Sequence, residues 1–196
     1  MALVVVLALG LPAVFLFATA LADGEVRRRE APLRAMLGNE AYEALAAGQP
    51  SGQHYMGRDR GAPDFELPSS QGGTFRLSEQ RGKVVILNFW TVTCQPCVEE
   101  MPSLVSLATM LEGRDDIVLA AITIDPDWET ARSVVPQGSP LTVLLDPDRA
   151  VVRDLFGTRM YPETWIIDSR GIIRLRVDGR RDWSSPLAMQ IFEGYR

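Results

Sequence analysis

The chain has 196 residues, 46% of them apolar and 23% charged, the balance of a folded domain with a leader or linker and not of a disordered chain. Its 20 basic residues against 25 acidic ones leave a net charge of −5, which weighs against a nucleic-acid binder with a basic face. Two cysteines three positions apart and a single histidine, His54, exclude a disulfide-dense scaffold and an all-cysteine zinc site.

Residues 1–22 carry no charge, and only Gly10, Pro12 and Thr19 interrupt the apolar run. At about 1.5 Å per residue such a helix crosses a bilayer core of roughly 30 Å. Ala20-Leu21-Ala22 also resembles a small-residue cleavage site, which would release the domain into the periplasm. The length favours an anchor over a cleaved signal. The order of charges opposes export, because no Lys or Arg precedes the run while Arg27, Arg28 and Arg29 follow it. Export is the expectation that the leader as a whole supports.

Residues 23–61 read as a stalk, with a loosely helical stretch from Ala31 to Ala47 ended by Gly48, Pro50, Ser51 and Gly52. The domain proper is expected over 62–196. Val84 to Trp90 is an apolar run broken only by Asn88, as in a strand covered on both faces. Gln95 to Leu111 reads as a helix and Ile117 to Ile124 as a second buried strand. Asp125-Pro126-Asp127 is read as the start of a helix running to about Val135. A strand is predicted over Leu141 to Leu145 and a short helix over Asp148 to Phe156. Strands over Thr164 to Ile167 and Ile172 to Val177 flank the turn Asp168-Ser169-Arg170-Gly171, and Pro186 to Phe192 closes the chain as a helix. This order implies an α/β fold whose mixed sheet is flanked by helices on both faces.

Cys94-Gln95-Pro96-Cys97 falls where a buried strand gives way to a helix. A helix N-terminus presents unpaired N–H groups and partial positive charge. A thiolate there is stabilised, so its pKa drops below the free value of about 8.5, and the thiolate is the form that attacks disulfides. The spacing brings both sulfurs within one turn. Cys94 is expected to be the exposed attacker and Cys97 the buried residue that resolves the mixed disulfide. A purely structural bond would close a very small loop and constrain the unfolded chain little.

Phe89-Trp90-Thr91-Val92-Thr93-Cys94-Gln95-Pro96-Cys97, followed by Glu99-Glu100-Met101-Pro102, resembles the TlpA/ResA/CcmG branch of the thioredoxin superfamily, anchored or exported thiol–disulfide oxidoreductases. The likeness extends through Ala62-Pro63-Asp64-Phe65-Glu66-Leu67, Arg81-Gly82-Lys83-Val84-Val85 and Tyr161-Pro162-Glu163-Thr164. It implies a thioredoxin-like fold with an N-terminal β extension and a central insertion. By position, Pro162 matches the family's cis-proline, which would leave Tyr161's backbone open to an incoming peptide strand. Trp90 and Thr93 complete the expected substrate-binding set. Glu100 matches the acid that exchanges a proton with the buried cysteine, Glu99 reads as a solvated neighbour, and Glu163 as a residue that tunes the cysteines. Thr93 departs from the family, which has Trp before the first cysteine.

The resemblance implies protein thiol or disulfide substrates, reductive work on the haem-attachment cysteines of apocytochrome c, and electrons from a membrane thiol carrier. The redox-active disulfide is the only group implied, with no cofactor and no resident metal. The alternative is a Cu(I) chaperone for oxidase assembly using the same two thiolates, although no Met- or His-rich cluster flanks them. A peroxidase reading rests on Thr91, three positions before Cys94 as in peroxiredoxins, and is opposed by Leu87 where those enzymes have proline.

Overall fold

The computed structural model describes Ala35 and residues 61–196. The expected leader over 1–22 lies outside the described residues, as do His54 and nearly all of the expected stalk. Among the described residues no helix is long and apolar enough to cross a membrane.

The chain enters through a small antiparallel hairpin, β1 (Glu66–Pro68) and β2 (Thr74–Arg76), which is the expected N-terminal β extension. The central strand β3 (Val84–Trp90) is buried at all seven positions. β4 (Ile117–Thr123) and β5 (Thr142–Leu145) add to one side in parallel. β6 (Glu163–Ile167) and β7 (Ile173–Asp178) add to the other side antiparallel, giving the order β5-β4-β3-β6-β7. Among the described residues, three α-helices accompany the sheet: α1 (Gln95–Met110), α2 (Trp128–Arg132) and α3 (Pro186–Glu193). The stretch from β4 to β6 carries α2 and the edge strand β5, the central addition that the resemblance implies.

Side chains alternate across β3, so the sheet has two cores. Val85, Leu87 and Phe89 pack with Phe65 and Leu67 of the hairpin and with Trp165 of β6. Phe156 sits edge-on to Phe65, Phe89 and Trp165, with centroids 6.0, 5.2 and 5.5 Å away. Rings buried in this way each contribute about 1.5–3 kcal/mol through the area taken from water. The intervening β3 positions face the opposite side, which α1 and α3 cover through Met101, Leu104, Leu107, Ile191 and Phe192.

Two helix expectations are corrected. The helix expected over 125–135 is reduced to the five residues of α2, because Asp127 is its cap and accepts the Thr130 N–H at 2.8 Å. Asp125 instead turns inward and is 3% exposed. The helix expected over 148–156 is a π-helical turn over Ala150–Leu155. Asp146 sets its start by accepting the Val151 and Val152 N–H groups at 3.1 and 2.8 Å. Arg149 then enters at φ 60°, a left-handed conformation.

A candidate dithiol site at the end of the central strand

β3 ends at Trp90, and after three intervening residues Cys94 caps α1 from an extended conformation. Its Sγ accepts the Cys97 N–H at 3.3 Å, while its carbonyl accepts the N–H groups of Cys97 and Val98 at 3.0 and 3.1 Å. Pro96 occupies the first turn, where a missing N–H is tolerated. Cys94 and Cys97 are joined as a disulfide with Cα atoms 5.2 Å apart. Cys94 is half-buried and Cys97 only 1% exposed, the asymmetry expected of an attacker and a resolver. On reduction, the Cys97 N–H and the helix end would both favour a thiolate on Cys94.

The loop before Cys94 is tied down by a residue that the sequence reading misplaced. Asp125, at the end of β4, accepts the Thr91 hydroxyl at 2.6 Å, the Thr123 hydroxyl at 2.5 Å and the Val92 N–H at 3.1 Å. The Thr91 carbonyl in turn accepts the Cys94 N–H at 3.1 Å. The nucleophile's approach is therefore stitched to the neighbouring strand. The available signal was a polar Thr-Ile-Asp ending closing an otherwise apolar strand.

Tyr161 and Pro162 are joined by a cis peptide bond. The β3–β6 ladder pairs Phe89 with Glu163, so Pro162 lies at the end of the sheet from which the Cys94 loop departs. Tyr161 is half-buried and makes no backbone–backbone hydrogen bond with the described residues. Its neighbour Met160 is 72% exposed, and Thr93 is exposed across the same end of the sheet. Trp90, also in the expected substrate-binding set, is not at the surface. It is wholly buried, on the sheet face that α1 covers, so it supports the loop from beneath and offers nothing to a partner.

Glu100 lies one turn beyond Cys97 and is 1% exposed. It accepts the Trp183 indole N–H, and its Oε2 has no hydrogen-bond partner. Burial pushes its carboxyl up to about 7, opposed by N–H groups of Trp183 and Arg181 and by the Arg181 and Arg180 charges. Such a group can take up and return a proton near neutrality. Glu99 is exposed and paired with Arg180 at 2.7 Å, as a solvated neighbour should be. Glu163 departs from expectation. Its carboxylate sits on the face opposite α1, held by Thr158, Trp165 and Arg176, the last at 2.7 Å. Burial raises its pKa too, but its partners are structural and none is a sulfur. Among the described residues no cluster of three or more His, Cys, Asp or Glu side chains could hold a metal ion.

A buried strand, a CxxC disulfide at the head of the following helix and a cis-proline at the same end of the sheet are the arrangement of a thioredoxin-like fold. The profile described as AhpC/TSA family matches residues 59–176, and the chain belongs to that family. It is 30% identical over 118 residues to the thiol-disulfide oxidoreductase ResA of Geobacillus thermodenitrificans, covering 60% of this chain and 67% of that one. Against the ResA of Bacillus subtilis it is 29% identical over 143 residues, covering 73% and 77%. Among solved structures, a thiol:disulfide interchange protein described as DsbE from Chlorobium tepidum superposes with a TM-score of 0.60 at 29% identity, covering 70% of this chain and 99% of that one. The chain is accordingly a thiol–disulfide oxidoreductase by family, fold and dithiol.

Proposed function

We propose that this oxidoreductase works as a reductant of disulfides in exported proteins, with Cys94–Cys97 as its only redox group. The observation that carries the reading is the pairing of a capped, half-buried Cys94 with a buried Cys97 one turn from Glu100. The Cys94 thiolate attacks a substrate disulfide and forms a mixed disulfide, and the first substrate sulfur leaves as a thiolate that takes a proton from solvent. Cys97 then gives its proton to Glu100 and attacks Cys94 Sγ. The second substrate sulfur leaves, the protein holds the disulfide, and two electrons have passed to the substrate. Thr93, Tyr161 and Pro162 form the edge on which the substrate strand docks.

Two features support the reductive direction. Gln95 and Pro96 between the cysteines are neutral and add no cation to stabilise the reduced pair. An ionised Glu100 opposes a thiolate on Cys97, so the reduced pair gains no stabilisation from a second thiolate and the potential stays low. The haem-attachment cysteines of apocytochrome c are the proposed substrate class and a membrane thiol carrier the proposed electron source. Both readings extend the likeness to ResA. The apolar leader supports a domain anchored on the outer side of the membrane.

Measuring the reduction potential against a glutathione or thioredoxin couple tests the direction. A value near thioredoxin's, about −270 mV, is expected, whereas one near about −120 mV would make the protein a disulfide donor. Cys94→Ser should abolish reduction of insulin and of a disulfide-bonded CxxCH peptide while the fold survives. Retained turnover in that variant would remove Cys94 from the mechanism.

A further inference from the structure

The proton acceptor is itself held from outside α1. Trp183, in the loop between β7 and α3, is fully buried and donates its indole N–H to Glu100 Oε1. The indole is fixed on its other sides. Its backbone N–H donates to Ser103 Oγ at 3.2 Å, and Ser103 Oγ donates to the Glu100 carbonyl at 2.8 Å. Its ring stacks on Phe192 of α3 with centroids 6.1 Å apart. The Glu99–Arg180 ion pair ties the same loop to the first turns of α1. Three links thus join one loop to the part of α1 that follows Cys97.

We propose that Trp183 is a positioning residue whose indole N–H orients Glu100 for Cys97 and sets the pH at which that carboxyl accepts a proton. The inference rests on the reading of Glu100 as the proton acceptor and adds the residue that tunes it. A donor to one oxygen stabilises the ionised form and leaves the unpartnered Oε2 to receive the proton. The charges around the carboxyl come from Arg180, Arg181 and Asp182 in the loop and Glu99 on α1. Arg180 is committed to Glu99, and Asp182 to Ser184. α3 contributes the apolar Phe192, and the sheet face beneath contributes the neutral pair Asn88 and Thr164. Beside the Arg181 backbone N–H, Trp183 is therefore the neutral side-chain donor that a substitution removes without deleting a charge.

The test is single-turnover reaction of the reduced full-length protein with 5,5′-dithiobis(2-nitrobenzoate). The first thionitrobenzoate released reports attack by Cys94, and the second reports resolution by Cys97. In the wild type the second phase should accelerate with pH through a midpoint near 7. Trp183→Phe should move that midpoint upward by about one unit, the effect of one lost hydrogen bond to a charge, and slow the second phase at pH 7 several-fold. Glu100→Gln should remove the midpoint, and adding Trp183→Phe to it should change the second phase no further. A folded Trp183→Phe protein with an unmoved midpoint overturns this inference while the Glu100 reading stands. A Glu100→Gln protein with an unchanged second phase overturns both. If Trp183→Phe does not fold, tryptophan emission of the oxidised wild type supplies the answer. It should titrate near 7 and lose that transition in Glu100→Gln, and an emission flat between pH 5 and 9 would contradict the proposal.

Discussion

Glu100 and Glu163 are each 1% exposed, each accept an indole N–H, and each have a pKa raised by burial. They differ in what else surrounds them. Glu163 has the Thr158 hydroxyl and the Arg176 guanidinium, so its charge is compensated where it lies. Neither Oε2 receives a hydrogen bond, but that of Glu163 lies 2.7 Å from the Arg176 guanidinium, whereas that of Glu100 has no ion pair among the described residues, and Glu100 lies one turn from Cys97. Burial alone therefore does not mark a working acid. Under the proposed function, what marks Glu100 is burial without an ion pair beside a group that must lose a proton.

The strongest way to break this contrast is to remove Arg176. Arg176→Leu would strand the Glu163 charge in the core and should lower stability by about 3–5 kcal/mol in urea unfolding, while thiol exchange per folded molecule stays within a factor of two. A loss below about 1 kcal/mol would place the two glutamates in the same class.

A change of pH sharpens it. Glu100 binds its proton more tightly folded than unfolded, so its stabilising contribution is complete below 4.5 and is lost as pH rises to about 7. The loss is at most about 3 kcal/mol, from the separation of the two values. Urea midpoints of the oxidised protein between pH 4 and 8 should fall in the wild type, and the fall should be shallower in Glu100→Gln. Parallel curves would mean that Glu100 is ionised throughout. The same substitution should slow resolution by about 100-fold at pH 7, the size of a typical general-base effect.

Asp125 is another of the buried carboxylates and is satisfied by three donors, so it belongs with Glu163. Asp125→Ala should cost about 2 kcal/mol, since the donors lose their acceptor, and Thr91→Val about 1 kcal/mol. Thermal or urea unfolding reads both. Thr91 commits its hydroxyl proton to Asp125, so neither variant should alter peroxide consumption; a wild-type peroxide burst lost in Thr91→Val would revive the peroxidase reading.

The central strand, the dithiol helix and the terminal hairpin of strands were legible because their signals are local. Seven buried positions in a row, a CxxC motif at a strand–helix junction and a turn centred on Gly171 need no distant partner to be recognised. What the sequence concealed depends on contacts between remote segments. Asp125 looked like a helix start because acids favour that position, and only the arrival of the Thr91 loop turns it inward. Glu163 follows Pro162 and so reads as a residue that tunes the cysteines, whereas the strand's alternation sends it to the opposite face. Trp90 adjoins the active loop in sequence, but the same alternation buries it beneath α1. Trp183 lies 83 residues from Glu100, and no spacing rule links them.

The proposed exchange requires one acidic thiol. Iodoacetamide alkylation of the reduced protein, followed from pH 4 to 10 with Cys94 and Cys97 resolved by peptide mass, tests it most directly. Cys94 should react with a midpoint well below the free value of about 8.5, and Cys97 should stay nearly inert until higher pH. Equal reactivity of both residues, with midpoints at the free value, would contradict it.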